Sequence, residues 1–416
     1  MQSNCSGLVH TKAIHCDALF AFQDCFPMHR IKAVLLSTAE DWHGGEQQAL
    51  LLAQGLRRHD HDCQVLARRG APFAQRLRAG GFPVTEFLGK GWNPVAQWSI
   101  RCQLRRWQPD ILHFNDSHAL TTGGCASWGM RRIIRVVSRR GSAPPRSAIR
   151  YRCFADRVVC VSRAVAGACA AAGIENRRLR VVYDGVDPHR VWSGNRNRGR
   201  RSLQLTAPDQ VVVCVASLTE PKGHACLLTA WAQVLKNQPL AQLVLVGDGP
   251  LSRPLKRQAQ ALGIGHAVKF LGYREDVPDL IQAADVCTLA SHLEGLGSSL
   301  IDAMLAGRPV VTSTAGGIPE LLGDETVPVA WTVAPQNPIG LAAALVSALR
   351  SPEEAARRAA RARRRAMQYF VAPQMIRQTI KLYDQALSQA RWSGGRTRRP
   401  DRNTTATSWA SGFDTP

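Results

Sequence analysis

The sequence lacks several features that would assign it to large classes of protein. No apolar run approaches the length of a membrane-spanning helix, so we expect any membrane contact to be peripheral. The 12 cysteines form no CxxC pair and no metal-type spacing, and Cys160, Cys214 and Cys287 lie in apolar runs, where a thiol acts as a small hydrophobe. This usage is typical of a reducing cytosol rather than a disulfide framework. We therefore expect a cytoplasmic protein, with the inner face of the cytoplasmic membrane as a candidate peripheral location.

Acidic residues are also few. The chain has 53 Lys and Arg but only 31 Asp and Glu, which gives a formal net charge of +22. The excess is clustered, because residues 131–157 contain nine Arg and one Asp, and residues 357–365 contain six Arg. Such clustering favours an anionic partner, which could be nucleic acid, an anionic membrane face or phosphorylated glycans. The alternative is a set of arginines that are merely solvated.

Strand-like and helix-like segments alternate along most of the chain. This alternation predicts an α/β fold with two Rossmann-like, doubly wound domains that face a central cleft, and 416 residues are enough for two cores. The segment before Met28 has no signal-peptide layout, and we expect Met28 to be the true initiator. The proposed boundaries are 1–27 for a disordered or wrongly assigned extension, 28–190 for the first domain, 191–208 for a polar linker, 209–372 for the second domain, 373–390 for a final helix and 391–416 for a disordered tail.

Residues 285–322 contain the clearest strand–loop–helix unit. An apolar strand at Val286–Ala290 is followed by a loop with Gly295 and Gly297, and then by a helix over Ser298–Ala306. Free backbone N–H groups at the start of that helix would face an anion. The alternative is a purely structural turn.

Two carboxylates frame this loop. Glu294 precedes the helix, and Asp302 lies one turn beyond Ser298. Two acids beside an anion repel it unless they accept hydrogen bonds from hydroxyl groups, which a sugar and a ribose can supply. The alternative is a pair of solvated acids.

Three other strand ends carry glycine or polar residues. Gly44 and Gly45 open the first helix, where backbone can approach a ligand closely. His118 follows a strand whose carboxyl end is a usual ligand position in an open sheet, although a lone histidine is more often an ordinary side chain. Lys222 precedes a helix, where a cation is unfavourable unless an anion compensates.

The Asp60-His61-Asp62 segment superficially matches an Asp-x-Asp metal signature. It lies in a short junction between a helix and a strand, so we interpret it as a solvated turn and predict no metal requirement.

Several ordered landmarks together resemble the GT-B-fold, retaining glycosyltransferases of family 4. These are Glu294 and Asp302 with seven residues between them, the EGLG loop, AGRPVV and GGIPEL after it, and the earlier ADRVVCVS and VVYDGVD segments. The family usually has Glu where this chain has Asp302, and Arg where it has Ser217, so the contacts at these two positions would differ from the usual family pattern. The resemblance covers roughly residues 30–390 and implies a final helix that returns to the first domain.

The resemblance implies a role for each candidate residue. Glu294 and His118 would be catalytic, with Glu294 against the donor sugar and His118 in the first-domain wall of the cleft. Asp302 would contact the ribose, Lys222 the diphosphate and Tyr273 the base. The implied donor-binding set is Gly45, Lys222, Tyr273, Gly295, Leu296, Gly297, Ser298 and Asp302.

The implied activity is transfer of a sugar from a nucleotide-diphosphate donor, with retention, to a glycan or lipid-linked acceptor in bacterial cell-surface polysaccharide or lipopolysaccharide synthesis. We expect no cofactor, since the nucleotide-sugar is a substrate. An anionic membrane surface is a candidate partner through the Arg clusters, and we expect no nucleic acid. Two alternatives remain: a GT-B-like phosphorylase or epimerase, and a non-catalytic polyanion-binding protein.

Overall fold

The computed structural model describes residues 29–89, 91–206, 209–323 and 326–394. The described residues from Ile31 onward form one compact unit. The predicted extension at 1–27, and the part of the predicted tail beyond residue 394, lie outside the described residues. Within the described part of the chain, no helix has both the length and the apolar content that crossing a bilayer requires.

The first half of this unit is a parallel sheet with the strand order β3-β2-β1-β4-β5-β6-β7. Its strands are β1 Lys32–Ser37, β2 Asp62–Arg68, β3 Val84–Phe87, β4 Ile111–Phe114, β5 Ile134–Arg139, β6 Arg157–Cys160 and β7 Leu179–Val181. Its helices are α1 Gly44–Arg58, α2 Pro72–Ala79, α3 Pro94–Trp107, α4 Ser117–Ala126, α5 Ala148–Phe154 and α6 Arg163–Ala171. Nearly every strand side chain of β1, β4 and β6 is buried, as expected for a parallel sheet covered on both faces.

The second half is a parallel sheet with the order β10-β9-β8-β11-β12-β13. Its strands are β8 Val211–Val215, β9 Gln242–Val246, β10 Val268–Phe270, β11 Val286–Leu289, β12 Val310–Ser313 and β13 Trp331–Val333. Its helices are α9 His224–Asn237, α10 Ser252–Ala261, α11 Val277–Ala283, α12 Ser298–Leu305, α13 Ile318–Leu322, α14 Pro338–Arg350 and α15 Pro352–Tyr369. The prediction of two doubly wound sheets is confirmed.

The segment that we assigned to a linker is partly helical. After α7 Pro188–Trp192, helix α8 Arg196–Ser202 packs on α11. Arg198 Nη2 lies 2.6 Å from Asp279 Oδ1, and a methyl group at Gly199 would lie 2.2 Å from the carbonyl oxygen of Asp279. The polar composition of this segment therefore did not indicate the helix, which packs against α11 in the second half of the unit.

The last helix, α16 Ala372–Gly394, packs on α1 in the first half of the unit. A methyl group at Gly55 of α1 would lie 2.5 Å from Ile376, so the two helices are in close contact. Tyr383 also hydrogen-bonds buried His113 of β4. The final helix thus packs against the first half of the unit, and it includes residues 391–394, which we had assigned to the tail.

The Asp60–Asp62 turn is less solvated than predicted. Asp60 is exposed, but His61 is buried and its Nδ1 accepts a hydrogen bond from the backbone N–H of Ile31 at 3.3 Å. Burial lowers the pKa of His61. This histidine supports the start of β1, an interior strand of the first sheet.

Candidate functional site

A cavity of about 710 Å³ lies between the two sheets. The start of α1 and the α7 region form its first wall, and the loops after β8, β10 and β11 form its second. These loops follow the carboxyl ends of parallel strands, where open α/β sheets bind ligands. The fold therefore creates one cleft from both halves of the chain.

Glu294 and Lys222 meet in this cavity. Glu294 is 8% exposed, and its Oε2 lies 2.6 Å from Lys222 Nζ and 3.1 Å from the hydroxyl of Ser291. The backbone N–H of Gly295 donates to its Oε1 at 3.2 Å. Such a buried carboxylate is stable because every oxygen has a donor and the charge has a counterion.

The glycines of this loop permit close backbone contact. Gly297 precedes α12 with a φ of 94°, a conformation that L side chains rarely adopt. A methyl group at Gly295 would lie 2.1 Å from the carbonyl oxygen of Arg140, which belongs to the other half of the unit. The loop thus touches the opposite wall of the cleft while it presents the N-terminus of α12 to the cavity.

Asp302 is paired with a residue that the sequence analysis missed. Its carboxylate is 8% exposed and forms an ion pair with Arg190 of α7, which also lines the cavity. Burial raises the pKa of the Asp302 carboxyl, and the Arg190 guanidinium opposes that rise. The two residues are 112 positions apart, so no local pattern could have indicated the pair.

A second polar network supports the first-domain side of the cleft. Glu46 Oε1 accepts from Asn115 Nδ2 at 3.0 Å, Asn115 Oδ1 accepts from Arg140 at 2.8 Å, and Arg140 Nε lies 3.2 Å from Asp184 Oδ1. Burial raises the pKa of both Glu46 and Asp184, and the Arg140 guanidinium opposes the rise at Asp184. Gly45 lies against this network, with a built Cβ 3.8 Å from the side chains of Arg140 and Asn115.

The predicted site residues separate into two groups. Those that line the cavity are Lys222, Tyr273, Glu294, Gly297, Ser298 and Asp302. Gly45, Gly295, Leu296 and His118 do not line it. His118 is exposed and its backbone N–H donates to Asp116, so the polar residues after β4 cap α4 and hold the end of β1 through Thr38.

The described residues contain no cluster of three or more His, Cys, Asp or Glu side chains that could hold a metal ion. Metal independence stays a prediction.

Two protein-family models match the chain, one over each half. The model named Glycosyltransferase Family 4 matches residues 42–190, and the model named Glycosyl transferases group 1 matches residues 195–365. The fold and cleft define a two-domain α/β protein with a polar cavity between its sheets. The chain belongs to the group 1 glycosyltransferases of family 4 and has the GT-B fold.

Individual relatives match at moderate identity. An uncharacterised glycosyltransferase of Methanocaldococcus jannaschii is 30% identical over 194 residues, which cover 45% of this chain and 49% of that protein. A Vi polysaccharide biosynthesis protein of Salmonella typhi is 30% identical over 157 residues, which cover 35% of this chain and 26% of that protein. The matches therefore span half or less of these curated relatives.

A solved structure matches over a longer range. The structure of HepE from Anabaena in complex with UDP-glucose matches with 26% sequence identity and a TM-score of 0.76. The match covers 86% of this chain and 100% of the HepE chain.

Proposed function

We propose that this protein transfers a sugar from a nucleotide-diphosphate donor to a glycan or lipid-linked acceptor, with retention of anomeric configuration. The observation that carries the proposal is the convergence of Lys222, Glu294 and the N-terminus of α12 in one cavity. HepE, which has the same fold, was solved with UDP-glucose, and this supports a nucleotide-sugar as the donor class.

In this proposal the donor diphosphate lies against the N-terminus of α12 at Gly297 and Ser298. Backbone N–H groups there, together with the Lys222 ammonium, would stabilise the negative charge that develops on the departing diphosphate. Leu296 and Gly295 shape the loop, and Tyr273 would contact the base. The anomeric carbon–phosphate oxygen bond breaks, the acceptor oxygen bonds to that carbon, and the departing diphosphate takes the acceptor's proton.

The carboxylates act on hydroxyl groups. Glu294 would orient the donor sugar by accepting hydrogen bonds from it, and Asp302 would accept from the ribose. In the structure each carboxylate already has a cationic partner, namely Lys222 for Glu294 and Arg190 for Asp302. Donor binding would therefore draw the Lys222 ammonium toward phosphate while sugar hydroxyls replace it at Glu294. From the first-domain side, the start of α1 at His43 and Gly44 would close the cleft, since Gly45 and His118 do not line the cavity.

We place this activity in bacterial cell-surface polysaccharide or lipopolysaccharide synthesis, on the inner face of the cytoplasmic membrane. The similarity to the Vi polysaccharide biosynthesis protein supports this assignment. The high density of Arg supports a peripheral contact with an anionic surface.

A thermal-shift screen against UDP, GDP, ADP, CMP and their common sugars, with and without EDTA, tests the donor site. A ligand at 100 times its Kd adds about 2.7 kcal/mol to the free energy of unfolding, which is visible as a higher Tm. We expect a shift with one nucleoside diphosphate that EDTA does not change.

Other outcomes would support the alternatives. Turnover that consumes inorganic phosphate without release of a nucleoside diphosphate would indicate a phosphorylase. A shift with short nucleic acid alone would indicate a polyanion-binding protein.

A further inference from the structure

The layer formed by α3, α4 and α5 exposes an unusual amount of apolar surface. Within the described part of residues 29–190, every exposed large hydrophobic side chain belongs to this layer or to the loop that leads into it. We call these residues the aromatic face: Leu88, Trp92, Val95, Trp98, Trp128 and Ile149. Trp92, Trp98 and Trp128 are 68%, 70% and 59% exposed. Large tryptophans are seldom left in water unless the surface has a partner.

The tryptophans of the aromatic face lie close together. Trp92 and Trp128 both pack edge-on against Phe154 of α5, with ring centroids 6.5 Å and 5.9 Å away. Arg101 of α3 donates to the carbonyl oxygen of Trp128 at 2.9 Å, which fastens α3 beside the end of α4. Trp98 lies one turn before Arg101 and so projects from the same side of α3. The three exposed tryptophans therefore lie on neighbouring parts of the α3–α5 layer.

The helices of this layer are strongly basic. Residues 117–155 contain eight Arg and no Asp or Glu, and α3 contains three Arg and no Asp or Glu. The exposed arginines of the layer are Arg105, Arg106, Arg131, Arg132, Arg146 and Arg152. A partner with a negatively charged surface and an apolar interior complements such a face.

The other Arg cluster is used differently. On α15, Arg357 Nε lies 3.0 Å from Glu354 Oε2, Arg358 donates to the carbonyl oxygen of Ala330 at 2.9 Å, and Arg365 donates to that of Leu321 at 2.8 Å. Arg358 and Arg365 thus hold α15 to the rest of the second domain, whereas the Arg357–Glu354 pair lies within α15 itself. Of the two clusters within the described residues, the one beside the aromatic face is better placed to bind a partner.

We propose that the aromatic face docks on an anionic lipid bilayer. Indole rings favour the boundary between headgroups and acyl chains, and the arginines would contact anionic headgroups. The exposed aliphatic side chains Leu88, Val95 and Ile149 favour a bilayer over a nucleic acid. Burial at the acyl boundary stabilises aliphatic side chains, whereas nucleic-acid bases stack on aromatic rings. This inference deepens the proposed function, on which it rests, by giving the lipid-linked acceptor and the peripheral location a specific surface.

Co-sedimentation of the full chain with vesicles tests the proposal. We compare vesicles of phosphatidylcholine with vesicles that contain equal parts of phosphatidylcholine and phosphatidylglycerol. We expect about tenfold or greater preference for the anionic vesicles, and weaker binding as salt increases. The double variant Trp92→Ala/Trp98→Ala should lose about tenfold or more of that binding.

Matched controls on the second domain separate this face from general hydrophobicity and charge. Leu240→Ala/Ile339→Ala removes two exposed apolar side chains elsewhere and should leave vesicle binding unchanged. Arg131→Gln/Arg132→Gln should weaken binding, whereas Arg253→Gln/Arg257→Gln on α10 should have less effect. If the double Trp variant unfolds, Trp98→Ala alone gives the same comparison, because this ring is the most exposed of the three.

Several results would overturn the docking proposal. These are equal binding to neutral vesicles, no binding to either kind, unchanged binding of the folded Trp variants, or tighter binding to short RNA that depends on the arginines alone. The donor thermal shift is measured in parallel without lipid. Failed vesicle binding with an intact donor shift rejects only the docking surface, and a lost donor shift with intact vesicle binding rejects only the proposed transferase site.

Discussion

The two halves of the molecule share a winding pattern but use it differently. In the first sheet β1 lies between β2 and β4, and in the second β8 lies between β9 and β11, so each sheet has its switch point beside its first strand. At the second switch point, Lys222 and Glu294 enter the cavity. At the first, Glu46 and Asn115 form a closed hydrogen-bonded network with Arg140. One topology thus supplies a charged ligand wall in one domain and a supporting wall in the other.

The two domains also differ in where their charged and apolar side chains lie. The second domain brings Lys222 and Glu294 into the cavity, whereas the first domain exposes apolar and basic side chains on its α3–α5 layer. We infer that donor chemistry depends on the second domain and that surface contact depends on the first.

The largest expected effect concerns the charged wall. Glu294→Ala should lower kcat/KM by about 100-fold to 1000-fold, since it removes a preorganised polar contact with the reacting sugar. The measurement is nucleoside diphosphate release with the donor that the thermal-shift screen identifies.

Glu275→Ala is the matched control, because Glu275 lines the same cavity but its side chain is 81% exposed. Full activity in Glu294→Ala would remove Glu294 from the site.

A second prediction tests the contact between the walls. Gly295→Ala should lower the free energy of unfolding by about 1–3 kcal/mol, because its methyl group would lie 2.1 Å from the carbonyl oxygen of Arg140 and the backbone must shift. Denaturant titration measures the change.

Gly167→Ala in α6 provides the opposite case, since nothing lies within 4 Å of its built Cβ. That substitution should stabilise the protein by about 0.5–1 kcal/mol. A stable, active Gly295→Ala protein would argue against the close contact.

A third prediction compares buried histidines of the two domains. Burial lowers the pKa of His113 in β4 to about 3 and that of His224 in α9 to about 4. Below the unfolded-state pKa of about 6.5, the unfolded chain binds protons that the folded chain does not. The free energy of unfolding therefore decreases as the pH is lowered from about 6.5 toward the folded-state pKa, by up to about 1.4 kcal/mol per pH unit for each histidine.

The slope of unfolding free energy against pH between 4 and 6 is the readout, since it does not depend on the packing cost of a substitution. His113→Gln and His224→Gln should each reduce this slope. An unchanged slope in either variant would mean that its histidine is not buried in the neutral form.

The smallest expected effect concerns Arg190 and Asp302. A double-mutant cycle with Arg190→Ala and Asp302→Asn should give a coupling of about 1 kcal/mol in unfolding free energy, reduced by solvent because Arg190 is 37% exposed.

The comparison cycle uses Arg274→Ala and Asp276→Asn, a pair whose side chains are 34% and 32% exposed. It should give less coupling, because both of its partners are accessible to water. Equal coupling in the two cycles would contradict a special role for the Arg190 pair.

The local pattern of the sequence was enough to predict the two sheets and the strand–loop–helix unit at Glu294, but not helix α8 in the polar segment. Hydrophobic runs and helical spacing report which residues a segment must bury, and burial is a local requirement of each strand and helix. The Gly295 and Gly297 loop was recognisable for the same reason, because a strand end, two glycines and a helix start are neighbours in the chain.

Only the tertiary structure decided how charges pair. Lys222 meets Glu294 across 72 positions, and Arg190 meets Asp302 across 112, because the topology brings those loops to one edge. Composition could not show that Arg358 and Arg365 of α15 bind backbone carbonyl groups of the second domain, while the α3–α5 layer exposes arginines in the same part of the chain as its tryptophans. The positions of charged residues in the sequence do not indicate which residue each one pairs with. The pairing depends on which distant segment the fold places beside the charged side chain.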